Sequence, residues 1–315
     1  MFTTLSVVLP IFALILVGYL CRLGGILGPY ATREINRLVV YLALPALLFD
    51  LVAHASWEAL YQPGLIGAFG LSCIMVFAAA VAWGRRRGRP LADAALDGLN
   101  AAYANVGFMG IPLCAAAFGP PSLAAATLTI VLTACVLFGG AIVLVEIGLQ
   151  TERRPWAVAW RVTRALARNP LLLAPLAGAV VDGAGIPLPD AFERFIDLLG
   201  AAASPCALIA LGLFLADRRG QETRRTDGVA LMVWAKLVVH PALTWVLAHF
   251  VFGLAPMQTA AVTLLAALPT GTGPFMLAEL YRRDAASTSR AILISTLMSV
   301  VTVAGLLWVL ARTLP

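Results

Sequence analysis

Two stretches of the sequence bring together residue types whose spacing could bind a ligand inside an apolar segment: NVGFMGIP, from Asn105 to Pro112, and LPTGTGPF, from Leu268 to Phe275. Proline removes a backbone donor and clashes with the preceding turn, and glycine adds backbone freedom, so each stretch is expected to interrupt a helix. The freed N–H and C=O groups cannot face hydrocarbon; they must line a cavity or pack against protein. Half-helix N-termini present unpaired N–H groups and the positive end of a dipole, which suits a carboxylate held between them. Asn105, Thr270 and Thr272 add polar side chains without formal charge. The candidate binding residues are therefore Asn105, Gly107, Gly110 and Pro112, with Pro269, Thr270, Gly271, Thr272, Gly273 and Pro274. The competing reading is that these residues only kink two helices for packing. Their paired occurrence favours a site.

Isolated ionisable residues in apolar runs are costly and usually face a partner or an aqueous path. Lys236 lies roughly eight residues into its run, or about 12 Å at 1.5 Å per residue. It is a candidate for a second anion contact or a coupling charge; the alternative is a long stem that snorkels to the interface. His240 follows at i+4, just before Pro241, as a proton relay or a satisfied structural histidine. Asp50, four residues from the end of its run, is either a gating or cation-coupling carboxylate or an interfacial one. Glu146 and Glu279 are expected to pair with nearby arginines such as Arg153 and Arg282, and Asp97 and Asn100 to line an inner vestibule. Zinc-type spacing, a nucleophile arrangement and a phosphate-binding loop are all missing from the sequence, so neither an enzyme nor a metal or cofactor is expected. Cys21, Cys73, Cys114, Cys135 and Cys206 have no paired spacing and read as small core hydrophobes.

The elements that position these residues follow from composition. Of 315 residues 61% are hydrophobic, well above the roughly 45–50% of soluble domains, and the mean hydropathy is +0.92. At about 20 apolar residues per crossing, the chain has room for about ten spans in a lipid bilayer. Apolar runs place them near 4–21, 36–53, 64–83, 92–118, 121–149, 170–187, 191–216, 228–252, 257–280 and 288–311. Asn105 then falls near the middle of the fourth span. The N-terminal run lacks a preceding basic region, so it reads as a span and not as a cleaved signal peptide.

Charge tests the count independently. Nineteen of the 22 Lys and Arg fall in alternate connections: Arg22, Arg33 and Arg37; Arg85 to Arg87 and Arg89; Arg153, Arg154, Arg161, Arg164 and Arg168; Arg218, Arg219, Arg224 and Arg225; Arg282, Arg283 and Arg290. The connections between them carry none. Basic short loops stay cytoplasmic, so both termini are expected outside. The net charge of +6 describes this topology and not a nucleic-acid partner. Pro45 and Pro205 are 160 residues apart, and Pro112 lies 157 from Pro269 and 162 from Pro274. Five spans per copy is odd, so the expected fold is all-α, ten transmembrane helices in two inverted repeats. The repeats cover 1–149 and 170–315, joined by a basic connector at 150–169 that is either a surface amphipathic helix or a plain linker.

The stretches NRLVVYLALPALLF (Asn36 to Phe49), NVGFMGIPL, LGLFLA (Leu211 to Ala216) and LPTGTGPFMLAELY resemble the auxin efflux carrier family, which includes plant PIN-formed auxin carriers and bacterial organic-acid carriers. The resemblance spans essentially the whole chain. It implies a fold similar to sodium/proton antiporters and bile-acid symporters, with spans 4 and 9 crossing at Pro112 and the Pro269 to Pro274 region. It also implies a mobile domain of spans 3–5 and 8–10, a scaffold of spans 1, 2, 6 and 7, and Asn105 as a contact for the substrate carboxylate. The plant carriers have a long hydrophilic loop between repeats where this chain has about 20 residues, so it is similar to the short bacterial branch, whose substrates are dicarboxylates such as malonate and malate. The function expected is secondary transport of a small organic anion across the bacterial inner membrane by alternating access. Proton or sodium coupling and a homodimer through the scaffold helices are compatible with it. The competing functions are a cation-coupled symporter or antiporter of the related types, and a membrane sensor or intramembrane enzyme.

Overall fold

A computed structural model describes residues 2–54, 61–119, 122–150, 155–216 and 228–313. Among the described residues every regular element is helical. In chain order they are α1 (Phe2–Leu23), α2 (Ala31–Ala53), α3 (Pro63–Arg86), α4 (Leu91–Ala102), α5 (Val106–Phe118), α6 (Leu123–Leu149) and α7 (Pro155–Leu166). There follow α8 (Pro170–Gly183), α9 (Asp190–Ala216), α10 (Val229–Val251), α11 (Pro256–Ala267), α12 (Gly273–Leu280) and α13 (Ala285–Thr313). Six of these, α2, α3, α6, α9, α10 and α13, contain stretches long and apolar enough to cross a bilayer. The expected span near 92–118 is two helices, α4 and α5, and that near 257–280 is α11 and α12. Arg153, Arg154, Arg218, Arg219, Arg224 and Arg225 lie outside the described residues.

Local sequence explains where the helices begin. Pro63, Pro170, Pro256 and Pro274 each stand in a first turn, where a missing N–H leaves nothing unpaired. Asn169 caps α8, its Oδ1 accepting from the Leu171 N–H at 3.0 Å. The connector forms α7, with Trp156 and Trp160 exposed and Val162 buried. Several helices contain a wide π-helical segment, including Leu132–Leu137 in α6, Ala235–Val239 in α10 and Val106–Gly110 at the start of α5. Such segments often occur at functional positions, and here they carry Thr133 and Lys236 and directly follow Asn105.

Packing divides the helices into two groups. In one, α1 lies against the second half of α9, and α8 and the first half of α9 lie against α2. In the other, α4 packs on α3 and α6, α10 packs on α11, and α13 packs on α10, α11 and α12. Small residues allow the close approaches that bilayer helices use in place of a hydrophobic drive. A Cβ on Gly212 would meet the Ile15 carbonyl oxygen at 2.0 Å, and one on Gly148 would meet the Ala92 nitrogen at 2.6 Å. The gaps between α4 and α5 and between α11 and α12 face each other inside the second group.

Candidate functional site

The two gaps are stitched together by backbone. Ala104 and Thr270 form an antiparallel bridge, in which the Asn105 N–H donates to the Pro269 carbonyl at 2.8 Å and the Gly271 N–H donates to the Tyr103 carbonyl at 3.1 Å. Side chains complete the pairing. Thr270 Oγ1 donates to the Asn100 carbonyl in the last turn of α4 at 2.8 Å, and Ser295 Oγ of α13 accepts from the Thr270 N–H at 3.1 Å. Each break thus supplies partners for the other, which lets unwound backbone exist away from water. Glycine is required here by space: Cβ atoms on Gly271 and Gly273 would sit 2.9 and 2.7 Å from the Tyr103 ring.

Beside this crossing lies a cavity of about 150 Å³, between the two packing groups. Asn105, Gly107, Thr272, Tyr103 and Thr133 line one side, and Leu44, Leu47, Leu48 and Leu51 of α2 line the other. Asn105 is buried, and its side chain makes no hydrogen bond among the described residues. Thr133 Oγ1 is also buried without a partner, whereas Thr129, one turn earlier, donates to its own helix at the Ala126 carbonyl. In the first turn of α5 the Val106 and Met109 N–H groups donate to the Ala104 and Asn105 carbonyls at 2.8 and 3.2 Å, which leaves those of Gly107 and Phe108 without an acceptor among the described residues. Among the described residues no carboxylate lines the cavity, and the uncharged donors of Tyr103, Asn105, Thr133 and Thr272 are set in otherwise apolar walls that include Phe108, Ile111 and Ile130.

Gly271 also lines the cavity. Pro269 and Thr270 knit the crossing; Gly271 and Gly273 accommodate Tyr103; Pro274 is buried at the start of α12. Gly110 packs against Leu265, where a Cβ would approach the side chain to 2.8 Å. Pro112 is exposed and opens the regular α-helical part of α5. The crossing expected at Pro112 is therefore at Tyr103 to Asn105, about two turns earlier, because proline in a first turn begins a helix without breaking one. Tyr103, Thr133 and Ser295 were not anticipated. A tyrosine just before the interrupting NVG and a threonine in an otherwise apolar run are the signals that could have found the first two.

Lys236 does not snorkel and does not line the cavity. It is fully buried, with Nζ donating to the Ala266 carbonyl at 2.6 Å and lying 3.1 Å from His240 Nδ1. His240 Nε2 is 3.3 Å from Cys73 Sγ. Lys236 thus meets the C-terminal end of α11, where unpaired carbonyls concentrate negative charge. Asp50 belongs to an end cluster, not to the cavity: its Oδ1 lies 2.8 Å from His54 Nδ1, and His54 Nε2 is 3.5 Å from Glu193 Oε1. Partial burial opposes a charged His54 ring, but the Asp50 carbonyl, the Glu193 carboxylate and the Asp50 carboxylate outweigh it, raising the pKa above 6.5.

The other acidic residues are partnered differently from the expectation. Glu146 accepts from the Tyr281 hydroxyl at 2.6 Å, and Arg153 lies outside the described residues. No ion pair joins Glu279 and Arg282. Asp97 and Asn100 are buried, not vestibule-lining. Arg89 Nε lies 2.8 Å from Asp97 Oδ2 without a hydrogen bond between them, and Asn100 Nδ2 donates to Thr288 Oγ1 at 3.1 Å. The five cysteines are free.

Comparison with known proteins places this architecture. Residues 3–307 match the family described as Membrane transport protein. A Rhizobium meliloti protein named "Putative malonate transporter" is 35% identical over 307 residues, covering 97% of this chain and 95% of that protein. An "Uncharacterized transporter" of Methanothermobacter thermautotrophicus is 27% identical, covering 93% of this chain and 94% of that protein. A rice protein named "Probable auxin efflux carrier component 5a" is 27% identical over 154 residues, covering 48% of this chain and 42% of that protein. With its several apolar helices, the chain is a multi-pass membrane protein and belongs to the membrane transport protein family that includes the auxin efflux carriers.

Proposed function

We propose that the chain is a secondary carrier that moves a small mono- or dicarboxylate, such as malonate or malate, across the bacterial inner membrane by alternating access. The observation that carries this reading is the hydrogen-bonded pair of helix breaks beside a cavity whose donors are uncharged and whose lining includes no carboxylate among the described residues. Asn105, Thr272 and Thr133, with the first turn of α5, would hold the carboxylate, while the leucines of α2 would cover its hydrocarbon part. In this reading the chain has ten spans in two inverted repeats, the arginine-bearing end is cytoplasmic, and both termini are outside. The α3–α6 and α10–α13 group rocks against the group of α1, α2, α8 and α9. The name of the Rhizobium relative and the division of the packing into two groups both favour it. Moving one net charge across 100 mV is worth about 2.3 kcal/mol, so the membrane potential alone suffices to drive an anion outward, whereas accumulation requires a coupled proton or sodium ion.

The test is uptake of labelled malonate by proteoliposomes carrying wild type or Asn105→Ala. Losing a hydrogen bond to a charged group is worth about 1.5–3 kcal/mol, so malonate affinity should fall on the order of tenfold or more. Unchanged affinity and rate in the variant would remove Asn105 from the site.

A further inference from the structure

A second cavity, of about 440 Å³, opens between the two packing groups at the arginine-bearing end. Arg33, Asn36 and Arg37 of α2 form one wall, and Glu279 and Arg282 belong to the other. Among the described residues neither the Arg33 nor the Arg282 guanidinium has a hydrogen-bond or ion-pair partner, and Arg37 has only the exposed Glu34 at 3.6 Å. Arginines at this end follow from charge bias alone; three features go beyond it. First, Arg282 has a φ of 53°, the one positive φ at a non-glycine among the described residues, at a helix end where glycine is the usual occupant. Second, Asn36 is buried, its Nδ2 donating to the Met276 carbonyl at 3.2 Å while its Oδ1 has no partner. Third, Met276 also lines the cavity at the crossing, so about one turn of α12, some 6 Å, separates the two cavities.

Among the described residues the crossing cavity has no charged residue in its lining and so offers little to distinguish a dianion from a monoanion. The arginine cavity offers what is missing, since guanidinium groups bind carboxylates bidentately and stay charged. We propose that this cavity docks the transported anion on the cytoplasmic side, the guanidinium groups of Arg33, Arg37 and Arg282 holding the two carboxylates of a small dicarboxylate before it passes Met276. Glu279, the single acid among the described residues of the lining, leaves the cavity net positive. The inference rests on the carrier reading and its orientation above.

The test measures malonate transport from each face of oriented proteoliposomes, for wild type, R33Q/R37Q/R282Q, the corresponding triple lysine variant, and Arg282→Gly. The glutamine triple should raise the KM at the arginine-bearing face about tenfold, or roughly 1.4 kcal/mol, with the maximal rate from that face and the opposite-face KM unchanged; reversibility then requires the maximal rate from the opposite face to fall by the same factor, as slowed release onto the arginine-bearing face would produce. Raising ionic strength should raise the wild-type KM at that face and leave the glutamine triple nearly unaffected. The lysine triple should recover part of the affinity. Arg282→Gly should also raise that KM, and because glycine suits a φ of 53° it should be at least as stable as wild type. Inhibition by acetate, a monoanion, should shift less than about twofold. An unchanged KM in the glutamine triple, equal shifts at both faces, or equal shifts for malonate and acetate would overturn the docking site. If wild type moves no malonate at all, the carrier reading is what fails. Calorimetric titration of purified protein with malonate then judges the cavity directly, and equal affinity in wild type and glutamine triple would overturn it.

Discussion

At the scale of single residues, Asn105 and Lys236 stand for two ways of placing a polar group deep in an apolar fold. Asn105 is buried beside a cavity, and its amide makes no hydrogen bond among the described residues. Lys236 is fully buried and committed to the Ala266 carbonyl and to His240, with no carboxylate partner. Removing an ammonium from water without a counter-ion costs several kcal/mol, whereas orphaning one carbonyl costs about 1–3. The first term is larger. Lys236→Met, which keeps the length of the stem, should therefore raise the thermal unfolding midpoint in detergent, by about 1 kcal/mol or more of stability. Malonate transport should fall at least about tenfold, as expected of a group retained for function at a cost in stability. A lower midpoint with transport intact would instead make Lys236 a structural cap. Lys236 and its i+4 neighbour His240 were legible in the sequence because polar groups in an apolar run are conspicuous, but the Ala266 carbonyl that Lys236 meets comes from α11 and has no local signal. Thr133 shows in the sequence only as a threonine in an otherwise apolar run: a threonine in a helix usually satisfies itself on the preceding turn, as Thr129 does, so that signal does not tell the two apart.

At the scale of elements, hydropathy located the helices to within a few residues, because apolar runs report on the length of the helix and not on tertiary detail. The breaks were harder to place. Pro269 does lie in its break, but Pro112 and Pro274 both begin helical segments, and the interruptions precede them at Tyr103 to Asn105 and Leu268 to Thr272. Which residues of a Gly/Pro-rich stretch unwind is decided by the partner strand of backbone, here the other stretch some 165 residues away. Helix packing carries a similar lesson. Gly212 looks unremarkable in LGLFLA, but a Cβ there would lie 2.0 Å from the Ile15 carbonyl oxygen and 2.8 Å from the Tyr19 nitrogen. Backbone cannot turn aside as a side chain can. Gly212→Ala should push α1 off α9 and cost about 1–3 kcal/mol, as overpacking does, read as a lower unfolding midpoint. An unchanged midpoint would mean that α1 and α9 do not pack this closely.

At the scale of the whole molecule, the two packing groups meet across a surface that is leucine on the α2 side and, on the crossing side, apolar residues such as Phe108, Ile111 and Ile130 with a few polar groups among them, with Asn36 tied to the Met276 carbonyl near one end. An apolar face without hydrogen bonds has no fixed register, so one group can shift on the other without breaking partners that are hard to replace. Polar clusters inside a single group should then affect stability, and clusters that span the groups should affect transport. His54 makes this separable, since its partners Asp50 and Glu193 belong to α2 and α9 of the same group. Its folded-state pKa is raised above 6.5, so the stabilisation it supplies is complete below about pH 6.5 and is lost as pH rises through the raised value. The unfolding midpoint of wild type should accordingly fall modestly between about pH 6 and 8, by little because the ring is half exposed and solvent screens the pair. His54→Gln should flatten that dependence and leave the pH profile of malonate transport as in wild type. If His54→Gln instead displaces the transport profile, the cluster takes part in coupling, and the division of labour between the two groups does not hold.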